Sequence, residues 1–208
     1  ARERSHGRFT KFGAPLEKDE YWRFTSPKRF TSLKLQNDQK VSKADFSVDI
    51  NDKINDKDVN VFFVNGILDQ DYLDLNSSHD GLEIFSMRDE VGPDQLWVQR
   101  LYGELEAASH EKVSRPLAAL NTARASEGLF IRVTESFNKR LVIHYIGEEL
   151  NSDSFIHNLI KLEENTNLTL IEKGEGSFRI NKLTEIDLLT DAHLSHIRYF
   201  GKNIFADV

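Results

Sequence analysis

The chain of 208 residues contains no cysteine and one methionine. Without cysteine it can form no disulfide, no thiol nucleophile and no thiolate–metal bond, so any metal would depend on His, Asp and Glu. Such usage suits a reducing compartment, and the expected location is the cytoplasm. Long hydrophobic runs are missing too. None approaches the roughly 20 apolar residues of a membrane span, and the first residues lack the apolar core of a signal peptide, so the chain reads as soluble and unexported. A basic excess is also lacking: 27 Lys and Arg stand against 34 Asp and Glu, a formal net charge of -7. That balance argues against a nucleic-acid surface, which draws its affinity from clustered cations. The one local excess, Arg2, Arg4, Arg8 and Lys11, reads as a solvated terminal arm with no partner assigned.

What is present fits a folded protein. Hydrophobic residues make up 39%, charged residues 29%, and 14 Phe need burial. The length allows one large domain or two small ones. Residues 1–35 read as an irregular arm with a short helical turn near "EKDEYWRF", anchored by Trp22 and Phe24 and stopped before Pro27. The polar stretch 36–58 suits exposed loops or an edge strand. "VNVFFVNGIL" predicts a strand over Val59–Val64 and a hairpin near 59–68 through Asn65-Gly66. Behind Pro93, the residues Trp97, Leu101, Leu105 and Ala108 recur at helical spacing, which predicts an amphipathic helix near 93–109; a second is expected near 115–123 after Pro116.

From Gly128 the period becomes that of strands, in "GLFIRV", "KRLVIHYI", "FIHNLIKLE", "NLTLIE", "FRINKLTEIDLL" and "AHLSHIRYF". An antiparallel sandwich or barrel and a β-solenoid could both use this series. The absence of Asn-Gly or Asp-Gly after Gly128 tilts toward the solenoid.

Candidate chemistry is thin. His193 and His196 lie near Asp191, but residues three apart on a strand face opposite sides, which favours a structural role over a metal site. His144 and His157 are single imidazoles within strands, His79 and His110 lie at loop or helix ends, and His6 belongs to the arm. Asp153, Ser154 and His157 are sequence neighbours, which rarely form a triad, and no nucleophile elbow accompanies them. Glu163, Glu164, Glu185, Asp187 and Asp191 could be imagined as paired carboxylates of a glycosidase or a calcium-dependent lyase. Their expected role is as solvated outward positions, with Glu185 and Asp187 on one strand face and Ile186 and Leu188 on the other. "GEGS" lacks the spacing and the Lys of a phosphate loop. No catalytic, cofactor-binding or metal residue is assigned.

Five segments, "GAPLEKDEYWRFTSPKRF", "VFFVNGIL", "LNTARASEGLFIRV", "HNLIKLEENTNLTLIEKGEG" and "INKLTEIDLLTDAHLSHIRYF", together resemble the SufD family of subunits of the Suf iron–sulfur cluster assembly machinery. The resemblance implies a mainly β chain: a small mixed α/β region over 1–125, then the first coils of a right-handed parallel β-helix over 126–208. It implies a scaffold and not an enzyme, pairing with a SufB-like paralogue and a SufC-like ATPase that hydrolyses ATP, with a homodimer as the form in isolation. The iron–sulfur cluster is transient cargo, and reduced flavin is a cofactor of the full complex. The family's chain continues past the point matching Val208, so the 208 residues are expected to be an incomplete β-helix. The family's cluster-building His and the partner's Cys have no matching positions, and His193 and His196 inherit no such role. The alternative is a β-helix carbohydrate lyase or hydrolase using surface carboxylates such as Glu185 and Asp187.

Overall fold

The computed structural model describes residues 1–17, 22, 26, 27, 57–76, 78–109, 113–147, 153–174, 176 and 179–199. The helical turn expected near "EKDEYWRF" and the polar stretch 36–58 fall almost entirely outside them.

The Asn65-Gly66 signal places the first hairpin. Strand β1 (Asp58–Val64) pairs antiparallel with β2 (Ile67–Leu68), with Val64 opposite Ile67. Asn65 (φ 48°) and Gly66 (φ 80°) both take left-handed conformations, as a two-residue hairpin turn requires. Helix α1 (Arg2–Phe12) precedes this hairpin, and α2 (Gln70–Asn76) follows it, with the Asp69 Oδ1 accepting the Tyr72 N–H at 3.1 Å. Next come β3 (Ser78–His79), β4 (Leu82–Ser86), a 3₁₀ turn over Pro93–Gln95, and helices α3 (Leu96–Leu101), α4 (Glu104–Ala108) and α5 (Pro116–Arg124).

The six strands expected after Gly128 all form: β5 (Leu129–Val133), β6 (Arg140–Ile146), β7 (Asp153–Leu162), β8 (Asn167–Lys173), β9 (Arg179–Leu188) and β10 (His193–Tyr199). The chain is mainly β, with two five-stranded sheets ordered β10-β8-β6-β1-β2 and β3-β4-β5-β7-β9. Both are mixed. Their antiparallel pairs are β1 with β2, β3 with β4 and β4 with β5; the remaining pairs are parallel. From β5 to β10, consecutive strands alternate between the sheets, and β5, β6, β7 and β8 each pair in parallel with the strand two further on.

Strand alternation sorts side chains onto two faces. Val61, Ile143, Ile131, Ile160 and Leu170 face inward and form the main core between the sheets. On the other face of the second sheet, Phe130 and Leu159 pack with Trp97, Val98 and Tyr102 of the helical part. The second sheet is thus covered on both faces, a three-layer arrangement of helices, sheet and sheet.

Two expectations for the first half change. The basic arm is not irregular over its first part: α1 is helical, and Ser5 is fully buried. Its cations have acceptors about a hundred positions away, Arg4 on Glu104 and Arg8 on the buried Glu106, so local composition could not reveal them. The amphipathic stretch 93–109 is not one helix. It breaks between α3 and α4 at Gly103 (φ 74°), whose N–H donates to Glu185 at 2.7 Å. A Cβ at Gly103 would lie 2.8 Å from Thr122 Cγ2, so the crossing with α5 also requires glycine there. The second helix forms close to where Pro116 predicts it.

Candidate functional site

Among the buried polar groups of the described residues, two carboxylates, Glu172 and Glu185, each anchor a network. The first lies between the sheets. Register aligns Val61, Ile143, Glu172 and Arg198 in one row across β1, β6, β8 and β10. A row that begins with two aliphatic residues therefore continues with a carboxylate, and Glu172 is 2% exposed. It accepts hydrogen bonds from His196 Nε2 at 2.7 Å and from Lys182 Nζ, which reaches across from β9; Arg198 Nε lies at 3.3 Å. Lys182 Nζ also sits 3.9 Å from the centre of the Tyr145 ring. The Tyr145 hydroxyl accepts from Asn158 Nδ2 at 3.2 Å, and Asn158 Oδ1 accepts the Leu129 N–H at 3.0 Å. The network therefore ties both sheets together through their interior.

Burial alone would push the Glu172 carboxyl up, but His196, Lys182 and Arg198 outweigh it and hold it at about 2. Burial pulls Lys182 down against the attraction of Glu172, and it pushes Tyr145 well above the ordinary phenol range. A carboxylate so placed is a hydrogen-bond acceptor and cannot deliver a proton at neutral pH.

The second site lies beneath the helices. His157 on β7 and Glu185 on β9 are 0% and 3% exposed, with His157 Nε2 and Glu185 Oε1 2.8 Å apart. A carboxylate only accepts, so Nε2 carries the proton; Nδ1 has no partner among the described residues. Glu185 also accepts the Gly103 N–H at 2.7 Å and lies 3.4 Å from the Glu106 N–H. The Tyr102 ring packs 4.3 Å from the imidazole, and its hydroxyl donates to the Thr122 carbonyl. Glu185 thus fastens the α3–α4 break to the sheet.

This corrects the expectation that Glu185 is solvated. It faces away from the inter-sheet core, as alternation requires, but that face is roofed by helices. The other sequence candidates do not converge. His193 is exposed and His196 points inward, so the two do occupy opposite faces of β10. Asp191 (φ 55°) occupies the turn before them. Ser154 lies on the interior face with its hydroxyl toward the Asn65 carbonyl, Asp153 pairs with Arg179, and His157 lies on the opposite face, so these three form no relay. Glu163 is held by Arg132 and Lys161; burial pushes its carboxyl up, and the two cations bring it below the ordinary range. His144 stacks on Phe62 and lies 2.9 Å from Asn60 Oδ1.

Among the described residues, no three His, Asp or Glu side chains converge as metal ligands. No helix there is long and apolar enough to cross a membrane. Glu172, Lys182 and Tyr145 belong to none of the candidates evident in the sequence. The available signal was Glu172 at an inward position of "NLTLIEK", after Leu168 and Leu170. No protein-family model matches the chain, and no curated protein matches it.

Proposed function

We propose that the chain is a scaffold subunit in iron–sulfur cluster assembly, of the SufD kind, and that β5 to β10 are coils of a right-handed parallel β-helix. The observation that carries this reading is the path of the chain. Six successive strands alternate between two sheets, and the first four each stack in parallel with the strand two further on. Stacked coils of this sort build elongated surfaces suited to holding partners. The segments that resemble the family overlap β1, β5, β7, β8, β9 and β10.

On this reading the protein works in the cytoplasm beside a SufB-like paralogue and a SufC-like ATPase, forms a homodimer when alone, and is not an enzyme. The cluster is cargo of the assembled complex. This chain offers no thiolate for it, so cluster and flavin contacts are assigned to no residue here. The carbohydrate-active alternative requires exposed carboxylates, and Glu185 is occupied beneath the helices.

The test is co-expression of the tagged full gene product with a SufB-like and a SufC-like protein, followed by affinity purification. Recovery of a stoichiometric complex is expected. Failure of the full gene product to retain either partner would refute the scaffold reading. Replacing His193 and His196 together by Gln should leave partner recovery unchanged.

A further inference from the structure

We infer that the groove between α1 and the segment joining β4 to α3 binds a small molecule with an apolar body and a single carboxylate. The cavity measures about 660 Å³, within the range of small-molecule sites. Met87, Val98, Tyr102 and Phe130 form its floor. The last three are buried side chains backed by Trp97 and Leu159, so the floor is set by packing and not by loop position. The Tyr102 and Phe130 rings meet edge to face, with centroids 6.4 Å apart, and Tyr102 also packs against His157, so this part of the lining is held rigidly.

The rim supplies the charge. The Arg2 guanidinium lies 5.5 Å from the centre of the Tyr102 ring. Its contacts among the described residues are neutral: the Ala123 carbonyl at 3.5 Å and the Met87 sulfur at 3.6 Å. Nearby cations of α1 are already matched, Arg4 by Glu104 and Arg8 by Glu106. Of the two guanidinium groups lining the groove, Arg2 is the one with no carboxylate among the described residues, and a guanidinium resting on an aromatic face can offer two parallel N–H groups to an incoming carboxylate. Glu3 stands on the same rim. Its negative charge disfavours phosphates and other polyanions and limits the guest to one anionic group.

Amide NMR titration of the 208-residue chain with phenylbutyrate, and with phenylbutanol as its uncharged counterpart, tests this. The acid should shift Met87, Val98, Tyr102 and Phe130 and bind at least about fivefold more tightly than the alcohol at low salt. Arg2→Gln should bring the acid to the alcohol's affinity and leave the alcohol unchanged, whereas Glu3→Gln should tighten the acid. Val91→Trp, at the edge of the groove, should weaken both. Equal affinities of acid and alcohol for the unaltered chain would overturn the inference, as would shifts confined to other surfaces or no shift at millimolar acid. These outcomes need no variant, so a folding defect in Arg2→Gln cannot obscure them.

Discussion

Glu172 concentrates more of the interior electrostatics than any other side chain described, and its pH behaviour follows from its partners. Its carboxyl is held at about 2 in the folded chain, against 4.5 for the free group. A depressed folded value contributes stability that is complete above about pH 4.5 and is lost as pH falls toward 2. The difference corresponds to about 3 kcal/mol in full, of which about 2 should be gone at pH 3. Urea unfolding of the chain at pH 7 and pH 3 should show that loss, and Glu172→Gln should remove this part of the pH dependence. A Gln variant with an undiminished acid slope would mean that other carboxylates carry it. Glu185 makes a separate case. Glu185→Ala would strip the acceptor from His157 and from the Gly103 N–H in a buried site, at a cost of about 3 kcal/mol in urea unfolding at neutral pH. A loss under about 0.5 kcal/mol, the range of ordinary surface substitutions, would contradict the burial described. The two carboxylates were legible to different degrees. The face of Glu185 could be read from the strand period, since it alternates with Ile186. Its burial could not, because the roof comes from residues 96–108, remote in sequence. Glu172 is the reverse: it occupies an inward position of an apolar strand, but its partners Lys182, His196 and Arg198 come from two later strands and meet it only in the folded chain.

At the scale of elements, turn chemistry was easier to read than helix continuity. Asn65-Gly66 signals its hairpin locally, because both residues tolerate positive φ. The apolar spacing of 93–109 passes through Gly103 without a visible break, and only the crossing with α5 and the bond to Glu185 explain why the helix stops. Gly103→Ala should therefore destabilise by about 1–3 kcal/mol, through strain at φ 74° and the contact with Thr122. Gly7, in the middle of α1 with nothing within 4 Å of an added Cβ, should behave in the opposite way. Gly7→Ala should stabilise by about 0.5–1 kcal/mol, because alanine loses less backbone freedom in a helix. Thermal denaturation of the two variants should move the midpoint in opposite directions. A midpoint unmoved by Gly7→Ala would argue that α1 is not helical in solution. The error over residues 1–12 has the same origin as that over Gly103: the ion pairs of α1 join it to α4, and a reading confined to neighbours sees only a cationic terminus.

For the whole molecule, burial is graded across the order of strands in the two sheets. Six of the seven residues of β1 are buried, and β7 is buried at seven of ten positions, whereas β9 has one buried residue and β10 none. Among the described residues β1, β6 and β8 each have strand neighbours on both sides, while β10 pairs only with β8 and β9 only with β7. In a stack where each strand is stabilised by its immediate neighbours, local opening should begin at the less buried end and proceed inward. Hydrogen exchange of the isolated chain should therefore give the slowest amides in β6 and β7, intermediate protection in β8, and the fastest ladder amides in β10. Protection of β10 equal to that of β6 would mean that something covers the last strand in solution, whether a second copy or another part of the chain. If a SufB-like partner is then added and protection rises on β9 and β10 alone, the partner surface lies at that end. If it rises on the helical layer instead, any such partner binds through that face.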